Sequence, residues 1–189
     1  MLKRYIEDKG PDKFDLVIVG GGITGAAVAY IAAARGLTVA LFEKKDYGGA
    51  TSAATSKLIH GGLRYLANGE LKLVRESLRE RRILGNIAPN FVYPLPFILP
   101  MYKRWRGNIW MMMIGMYMYD MLSYDKKDTW DKSKKLENHR LINYRKTKRV
   151  EPNLKTENLR NGFYFFDYQS IFPERLTLAF IKSAAEYGA

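Results

Sequence analysis

Phe14-Asp15-Leu16-Val17-Ile18-Val19 is a short, mostly apolar, β-branched run. Such a run predicts a strand of a parallel sheet, buried on both faces. It ends at Gly20-Gly21-Gly22. The alanine-rich segment Ile23 to Arg35 then reads as a helix, stopped by Gly36. Leu37 to Phe42 is a second strand, with Glu43 at its carboxyl end. Strand, glycine loop, helix and strand in this order predict a βαβ unit.

Beyond it the pattern changes. Tyr47 to Gly62 is rich in Gly, Ala, Ser and Thr, yet it holds Leu58, Ile59 and His60 and lacks proline, so it is no ordinary linker. Leu71 to Ile87 predicts a helix with an apolar stripe of Leu71, Val74, Leu78 and Leu84 and charged remaining faces. Pro89, Pro94, Pro96 and Pro100 enforce extended, turning chain. Ile109 to Leu122 reads as a helix, Asp125 to Arg149 as a charged surface segment, and Phe163 to Phe166 as strand. Pro173 to Tyr187 is a helix with proline in its first turn, Gly188 just past its end, and a stripe of Leu176, Phe180, Ala184 and Tyr187. Neither an internal repeat nor a clear domain linker is visible.

Composition narrows the chemistry. The 189 residues suffice for one domain or part of a larger one, and an apolar share of 47% makes the chain globular. With no cysteine, disulfides, thiolate metal sites and cysteine nucleophiles are excluded for this chain. His60 and His139 are its two histidines, too few for a histidine-rich metal centre, and no metal is expected. Met1 to Lys13 is charged, has a turn at Gly10-Pro11, and lacks the apolar segment of a signal peptide. The run Ile109 to Leu122 falls short of the ~20 residues a spanning helix needs. A net charge of +12 favours acidic partners such as nucleic acid, anionic lipid or a phosphorylated ligand, or else marks a basic solvated surface.

Gly20, Gly22 and Gly25 form the pattern GxGxxG. The first permits the tight turn, the second a close backbone approach to a pyrophosphate, and the third the packing of helix on sheet. The helix amino terminus offers free N–H groups and partial positive charge to phosphates. Glu43, about 20 residues on, can accept hydrogen bonds from ribose hydroxyls. Its carboxylate argues against a ribose 2′-phosphate, although Lys44 and Lys45 are adjacent. These residues point to a dinucleotide without choosing which.

The choice comes from the run Ala50-Thr51-Ser52-Ala53-Ala54-Thr55-Ser56-Lys57-Leu58-Ile59-His60-Gly61-Gly62-Leu63-Arg64-Tyr65-Leu66. Small residues let backbone lie against a flat ligand, hydroxyls suit phosphates, and Arg64 supplies a fixed cation for an anionic substrate. Together with Val19-Gly20-Gly21-Gly22-Ile23-Thr24-Gly25, this string resembles the FAD-dependent glycerol-3-phosphate dehydrogenases. The resemblance extends through Leu73-Val74-Arg75-Glu76, the Pro-Leu-Pro segment and Ile114-Gly115-Met116-Tyr117-Met118-Tyr119-Asp120. It implies an α/β protein: a Rossmann-like FAD-binding domain, its core at 14–66, with inserted elements of a substrate domain within 67–189, truncated at its carboxyl end.

The resemblance further implies oxidation of glycerol 3-phosphate to dihydroxyacetone phosphate. The carbinol gives a hydride to FAD and electrons pass on to a quinone, with the enzyme cytoplasmic and peripheral on the cytoplasmic membrane face. By the same resemblance Gly20, Gly22, Ile23, Thr24, Gly25, Glu43 and Lys44 serve the ADP part. Thr51, Ser52, Ser56, Lys57, Leu58, His60 and Gly61 line the pyrophosphate and flavin, and Arg64 and Tyr65 line the substrate pocket. His60 is read as a flavin contact ahead of a catalytic base or a packing residue, and His139 as solvated.

Two departures stand out. Ser170-Ile171-Phe172-Pro173-Glu174-Arg175-Leu176 replaces the acidic residues that the family carries before Ala-Arg-Leu, which admits a related oxidase that gives electrons to oxygen. The chain also ends far short of the family's length, so the expectation is an amino-terminal fragment inactive alone. The basic cluster Arg79, Arg81 and Arg82 is read as solvated. Trp105 to Met121 is read as a core helix ahead of an interfacial membrane contact. The reading from another class, a basic module binding nucleic acid or membrane, lacks any accompanying nucleic-acid motif, so no nucleic acid is expected.

Overall fold

The computed structural model describes residues 13–103 and 109–189. The Gly10-Pro11 turn and the basic and aromatic Arg104, Trp105 and Arg106 lie outside the described residues. Contacts divide the described residues into two compact units, one running up to Lys57 and taking in Ser170–Ala189, the other falling within Leu58–Gln169.

In the first unit the expected βαβ order is present: β1 (Leu16–Val19), α1 (Ile23–Ala33) and β2 (Val39–Phe42). β1 and β2 pair in parallel, from Leu16 opposite Val39 to Val19 opposite Phe42. Asp15 fixes the start of this ladder by accepting hydrogen bonds from the N–H (2.8 Å) and hydroxyl (2.7 Å) of Thr38. The last helix, α6 (Pro173–Glu186), returns to this unit and packs on α1. Alanines make the approach close, with Ala29, Ala32 and Ala33 of α1, Ala184 of α6 and Val39 sharing one buried cluster. Tyr30 closes its edge against the rings of Phe180 and Tyr187.

Two expectations about this unit change. β1 is buried on one face only: Leu16 and Ile18 join the cluster, whereas Val19 is 87% exposed. The helices of this unit cover a single side of the two-stranded sheet, so burial alternates along the strand. The buried stripe of α6 is Leu176, Thr177, Ile181 and Ala184, rotated from the expected one. Thr177 takes the place of a larger residue because it faces Gly48, where an added Cβ would lie 3.1 Å from its own. Tyr187 falls past the helix end and is exposed.

The second unit is organised around β6 (Leu159–Gln169). β4 (Tyr93–Tyr102) runs antiparallel along one side of it, while β3 (Leu58–Ile59) and β5 (Arg140–Asn143) pair with opposite ends of its other side. The proline-rich segment is therefore a strand. Pro94, Pro96 and Pro100 share one parity, so the missing N–H groups fall on the outer edge and the ladder to β6 stays intact. A strand edge without donors is also protected against further pairing.

Three helices cover this sheet: α2 (Leu63–Leu66), α3 (Leu71–Ile87) and α4 (Ile109–Leu122). Val74 and Leu78 of α3 meet Tyr119 of α4, and Met116 meets Met101 and Phe163. The buried stripe of α3 runs Val74, Leu78, Arg81 and Gly85, with Leu71 exposed at the end. Gly85 belongs there because the Tyr168 ring occupies the space of a side chain, 2.8 Å from where a Cβ would stand. The expected core reading of α4 describes one face of it, for Trp110, Met111, Ile114, Tyr117 and Met121 are exposed.

The charged segment after α4 is more structured than composition implies. It contains β5 and a short helix, α5 (Tyr144–Val150), and buries Lys126, Lys134, Leu136 and Ile142. Lys126 pairs with Asp120, and the Lys134 ammonium lies 4.3 Å from the centre of the Tyr93 ring. His139 is not solvated: Asp120 accepts from its backbone N–H at 3.0 Å and bonds its Nδ1 at 2.7 Å. The Tyr168 hydroxyl donates to the Lys134 carbonyl, and burial pushes its pKa up to about 12.

Phe163 is fully buried between Met101 and Met116. Phe163→Ala should cost about 3–5 kcal/mol in chemical denaturation, through lost transfer energy and the cavity left behind. A loss under about 1 kcal/mol would mean that this cluster is not the core of the unit.

Candidate functional site

In the first unit the glycine loop joins β1 to α1 as the sequence predicts. Gly20 has φ +112°, a conformation that L side chains rarely adopt. A Cβ on Gly25 would lie 2.0 Å from the Gly20 carbonyl oxygen, so this glycine lets the helix close on its own loop. Gly21, outside the GxGxxG pattern, is equally constrained, because a side chain there would meet the Tyr47 ring at 2.5 Å.

Two distant side chains hold this loop. Glu43 Oε2 accepts from the Gly21 N–H at 2.7 Å, and Oε1 accepts from the Lys45 N–H at 2.9 Å. Ser52 Oγ accepts from the Ile23 N–H at 2.9 Å and so caps α1, whose own N-cap residue, Gly22, has no side chain. The Ser52 hydroxyl keeps its proton for a further acceptor. The Gly21 and Lys45 amides hold the Glu43 carboxyl below its ordinary range. The sign follows: an acid with a lowered pKa contributes its bonds above its ordinary value of 4.5 and loses them as pH falls through the lowered one.

Gly20, Gly22, Ile23, Thr24, Gly25, Glu43 and Ser52 are thus gathered at the amino end of α1. Exposed Thr24 stands in the first turn of that helix, whose opening N–H groups have no partner within it. Exposed Lys44 follows Glu43. These features fit a pyrophosphate and a ribose: glycines where side chains would block, first-turn amides, a hydroxyl donor and a carboxylate with spare lone pairs. Thr51, Ser56 and Lys57 are exposed in the following loop. Lys57 has φ +62°, unusual for a residue with a side chain, and is held from both sides. Its N–H donates to Thr55 Oγ1 at 3.2 Å, and its carbonyl accepts from the Ser170 N–H at 2.8 Å.

In the second unit Leu58 lies in β3, opposite Gln169 of β6. The chain then turns through His60, Gly61 and Gly62 into α2. His60 Nδ1 accepts from the Gly62 N–H at 3.1 Å, which leaves Nε2 of the neutral ring as the protonated nitrogen. Gly62 has φ +76° and serves as N-cap of α2. Arg64 and Tyr65 follow on that helix, both exposed, and Arg64 forms no ion pair with any described residue.

Gly61 is buried against a group of polar side chains that sequence reasoning missed. Its N–H donates to Asp167 Oδ1 at 3.2 Å. Arg81 forms an ion pair with the same oxygen, and the Tyr119 hydroxyl reaches Oδ1 at 3.1 Å and Oδ2 at 3.2 Å. Arg81 is 2% exposed, which overturns its reading as a solvated member of the basic cluster, while Arg79 is exposed as expected. Burial and the Asp167 charge raise the Tyr119 pKa, so the phenol stays a neutral donor. The missed signals were an arginine in line with Val74 and Leu78, and a carboxylate among the aromatics of β6. Among the described residues no cluster of side chains could hold a metal ion, and no helix is long and apolar enough to cross a membrane.

Known proteins share this organisation. Over 176 residues the chain is 40% identical to a glycerol-3-phosphate dehydrogenase of Synechocystis sp., covering 93% of this chain and 30% of that protein. It is 39% identical over 178 residues to the aerobic glycerol-3-phosphate dehydrogenase of Staphylococcus aureus, covering 94% and 30% respectively. Among solved structures it is similar to the glycerol-3-phosphate dehydrogenase of Bacillus halodurans complexed with FAD, at a TM-score of 0.63 and 28% identity, covering 94% of this chain and 26% of that one. The chain therefore spans about a third of the length of the curated relatives it matches. Residues 15–189 match the family described as FAD dependent oxidoreductase, and the chain belongs to that family.

Proposed function

We propose that this chain is the amino-terminal portion of an FAD-dependent glycerol-3-phosphate dehydrogenase that passes electrons to a quinone. The carrying observation is the loop at the amino end of α1, held by Glu43 and Ser52 and kept free of side chains at Gly20, Gly21 and Gly25. FAD would be held by the first-turn amides of α1 with Ser52 and Glu43, and would supply a two-electron acceptor for oxidation of the substrate carbinol to a ketone.

The chain's own residues bind and orient. First-turn amides of α1 and the Ser52 hydroxyl donate hydrogen bonds to the pyrophosphate, and Glu43 accepts from the adenosine ribose. Thr51, Ser56 and Lys57 serve the pyrophosphate and flavin. With Nδ1 engaged by Gly62, His60 offers an Nε2 donor, which supports a flavin contact over a base at that nitrogen. Arg64, which forms no ion pair among the described residues, supplies a cation for the substrate phosphate, with Tyr65 beside it. Peripheral attachment to the cytoplasmic membrane face is part of the same proposal, supported by the exposed face of α4.

The test is an absorbance spectrum of the full-length protein. It should show an oxidised-flavin band that bleaches with glycerol 3-phosphate and recovers with a quinone. Absence of the band would overturn the cofactor reading. Equal bleaching by unphosphorylated small alcohols would overturn the substrate. Faster recovery with oxygen than with quinone would favour the oxidase reading that the Ser170–Leu176 segment admits.

Glu43→Gln should weaken FAD binding about tenfold to a hundredfold by removing a charged acceptor from loop and ribose. In the parent protein, FAD affinity should hold through neutral pH and fall only as pH drops below the ordinary carboxyl range. Fluorescence titration with FAD at several pH values reads both effects. An unchanged affinity in the variant would remove Glu43 from the site.

A further inference from the structure

We infer that Asp167, held by Arg81 and Tyr119, is a positioning residue: it fixes the backbone of the His60–Gly61–Gly62 turn, and through it His60 and the start of α2. The inference rests on the function proposed above and assigns to this site three residues, Arg81, Tyr119 and Asp167, that lie 20 to 106 positions beyond Gly61 in sequence.

The geometry argues for a device with one acceptor at its centre. Asp167 Oδ1 receives the Gly61 N–H, the Arg81 guanidinium and the Tyr119 hydroxyl, and Oδ2 receives Tyr119 as well. All three residues are at least 96% buried. A carboxylate so placed cannot drift toward water, so its position is set by α3 through Arg81 and by α4 through Tyr119. The turn is confined from the other direction too. A Cβ on Gly61 would stand 2.1 Å from Leu78 Cδ2 and 2.4 Å from the Tyr119 hydroxyl. Gly61 therefore sits against the packed helices with its single donor aimed at one oxygen. The next residue, Gly62, takes the left-handed conformation, and its N–H donates to His60 Nδ1 and so orients that ring.

A purely structural ion pair would need only Arg81 and Asp167. The bond to the Gly61 amide is the extra element, and it can be separated from the charge pair. Replacing both charges by neutral groups removes the cost of leaving either one unpaired. In Arg81→Met with Asp167→Asn, the amide carbonyl still accepts from Gly61. In Arg81→Met with Asp167→Leu, nothing does.

Both pairs are made in the full-length, FAD-loaded protein and compared with the parent in thermal unfolding, flavin absorbance, and kcat and KM for glycerol 3-phosphate. The Asn pair should stay within about threefold of the parent in kcat/KM, while the Leu pair, equally folded, should fall at least tenfold or so and show a displaced flavin band. Equal kcat/KM and superimposable flavin spectra for the two folded pairs would overturn the inference. If neither pair folds, Tyr119→Phe decides: it removes one hydroxyl from Asp167 and should lower kcat/KM severalfold with the melting transition retained. Parent-like kinetics in that variant would overturn the inference. A parent protein without a flavin band, or one not bleached by glycerol 3-phosphate, fails before any substitution and overturns the functional reading together with this inference.

Discussion

A carboxylate taken out of water must be surrounded by donors, and Asp167 meets that demand by drawing four segments to one point. β6 carries it, α3 brings Arg81, α4 brings Tyr119, and the turn after β3 brings the Gly61 amide. An ion pair this buried contributes little net stability, since desolvation offsets most of its attraction, but removing one partner leaves an uncompensated charge. The arrangement thus tolerates few alternatives. It fixes where the two helices lie on the sheet and where the signature turn begins. The surrounding apolar contacts of Val74, Leu78 and Tyr119 supply the burial that makes the constraint strict.

The first unit solves a similar problem with less burial. Its loop must leave backbone amides available to a ligand, yet it must not collapse when no ligand is there. Glu43 holds the Gly21 amide of the loop as well as that of Lys45, Ser52 holds the Ile23 amide, and the other first-turn amides of α1 have no acceptor within the helix. Glycines keep the approach open by sterics: at Gly25 the loop's own carbonyl fills the space, and at Gly21 the Tyr47 ring does. Preorganisation of this kind lowers the ordering cost when a dinucleotide binds. The first unit presents amides and hydroxyls suited to phosphates; the second carries the His60 imidazole donor and the exposed Arg64.

Much of this was legible in the sequence, and the reasons differ by element. The βαβ unit showed itself because each part has a strong local cause: a β-branched run, glycines at a turn, an alanine-rich helix, a terminal acid. Its Glu43 and glycines stand where the pattern put them. Other expectations failed where tertiary context decides. Val17 and Val19 read as buried because parallel strands usually are, but among the described residues nothing covers that face of the sheet. The prolines of β4 read as irregular chain because their common parity matters only once an edge position is known. Arg81 and His139 read as solvated because their type is usually exposed, and their carboxylate partners lie 86 and 19 positions away. Asp167 itself gave a signal, a lone acid among aromatics, that only pairing with a distant arginine makes intelligible.

On the function proposed above, the amino end of α1, with Glu43, holds the ADP half of FAD. The most direct measurement is a crystal structure of the full-length protein with FAD bound. The pyrophosphate should lie on the first-turn amides of α1 near Gly22 to Thr24, with Glu43 accepting from the ribose hydroxyls and Ser52 still capping Ile23. A pyrophosphate bound elsewhere, or a Glu43 that makes no bond to the ribose, would rule this site out.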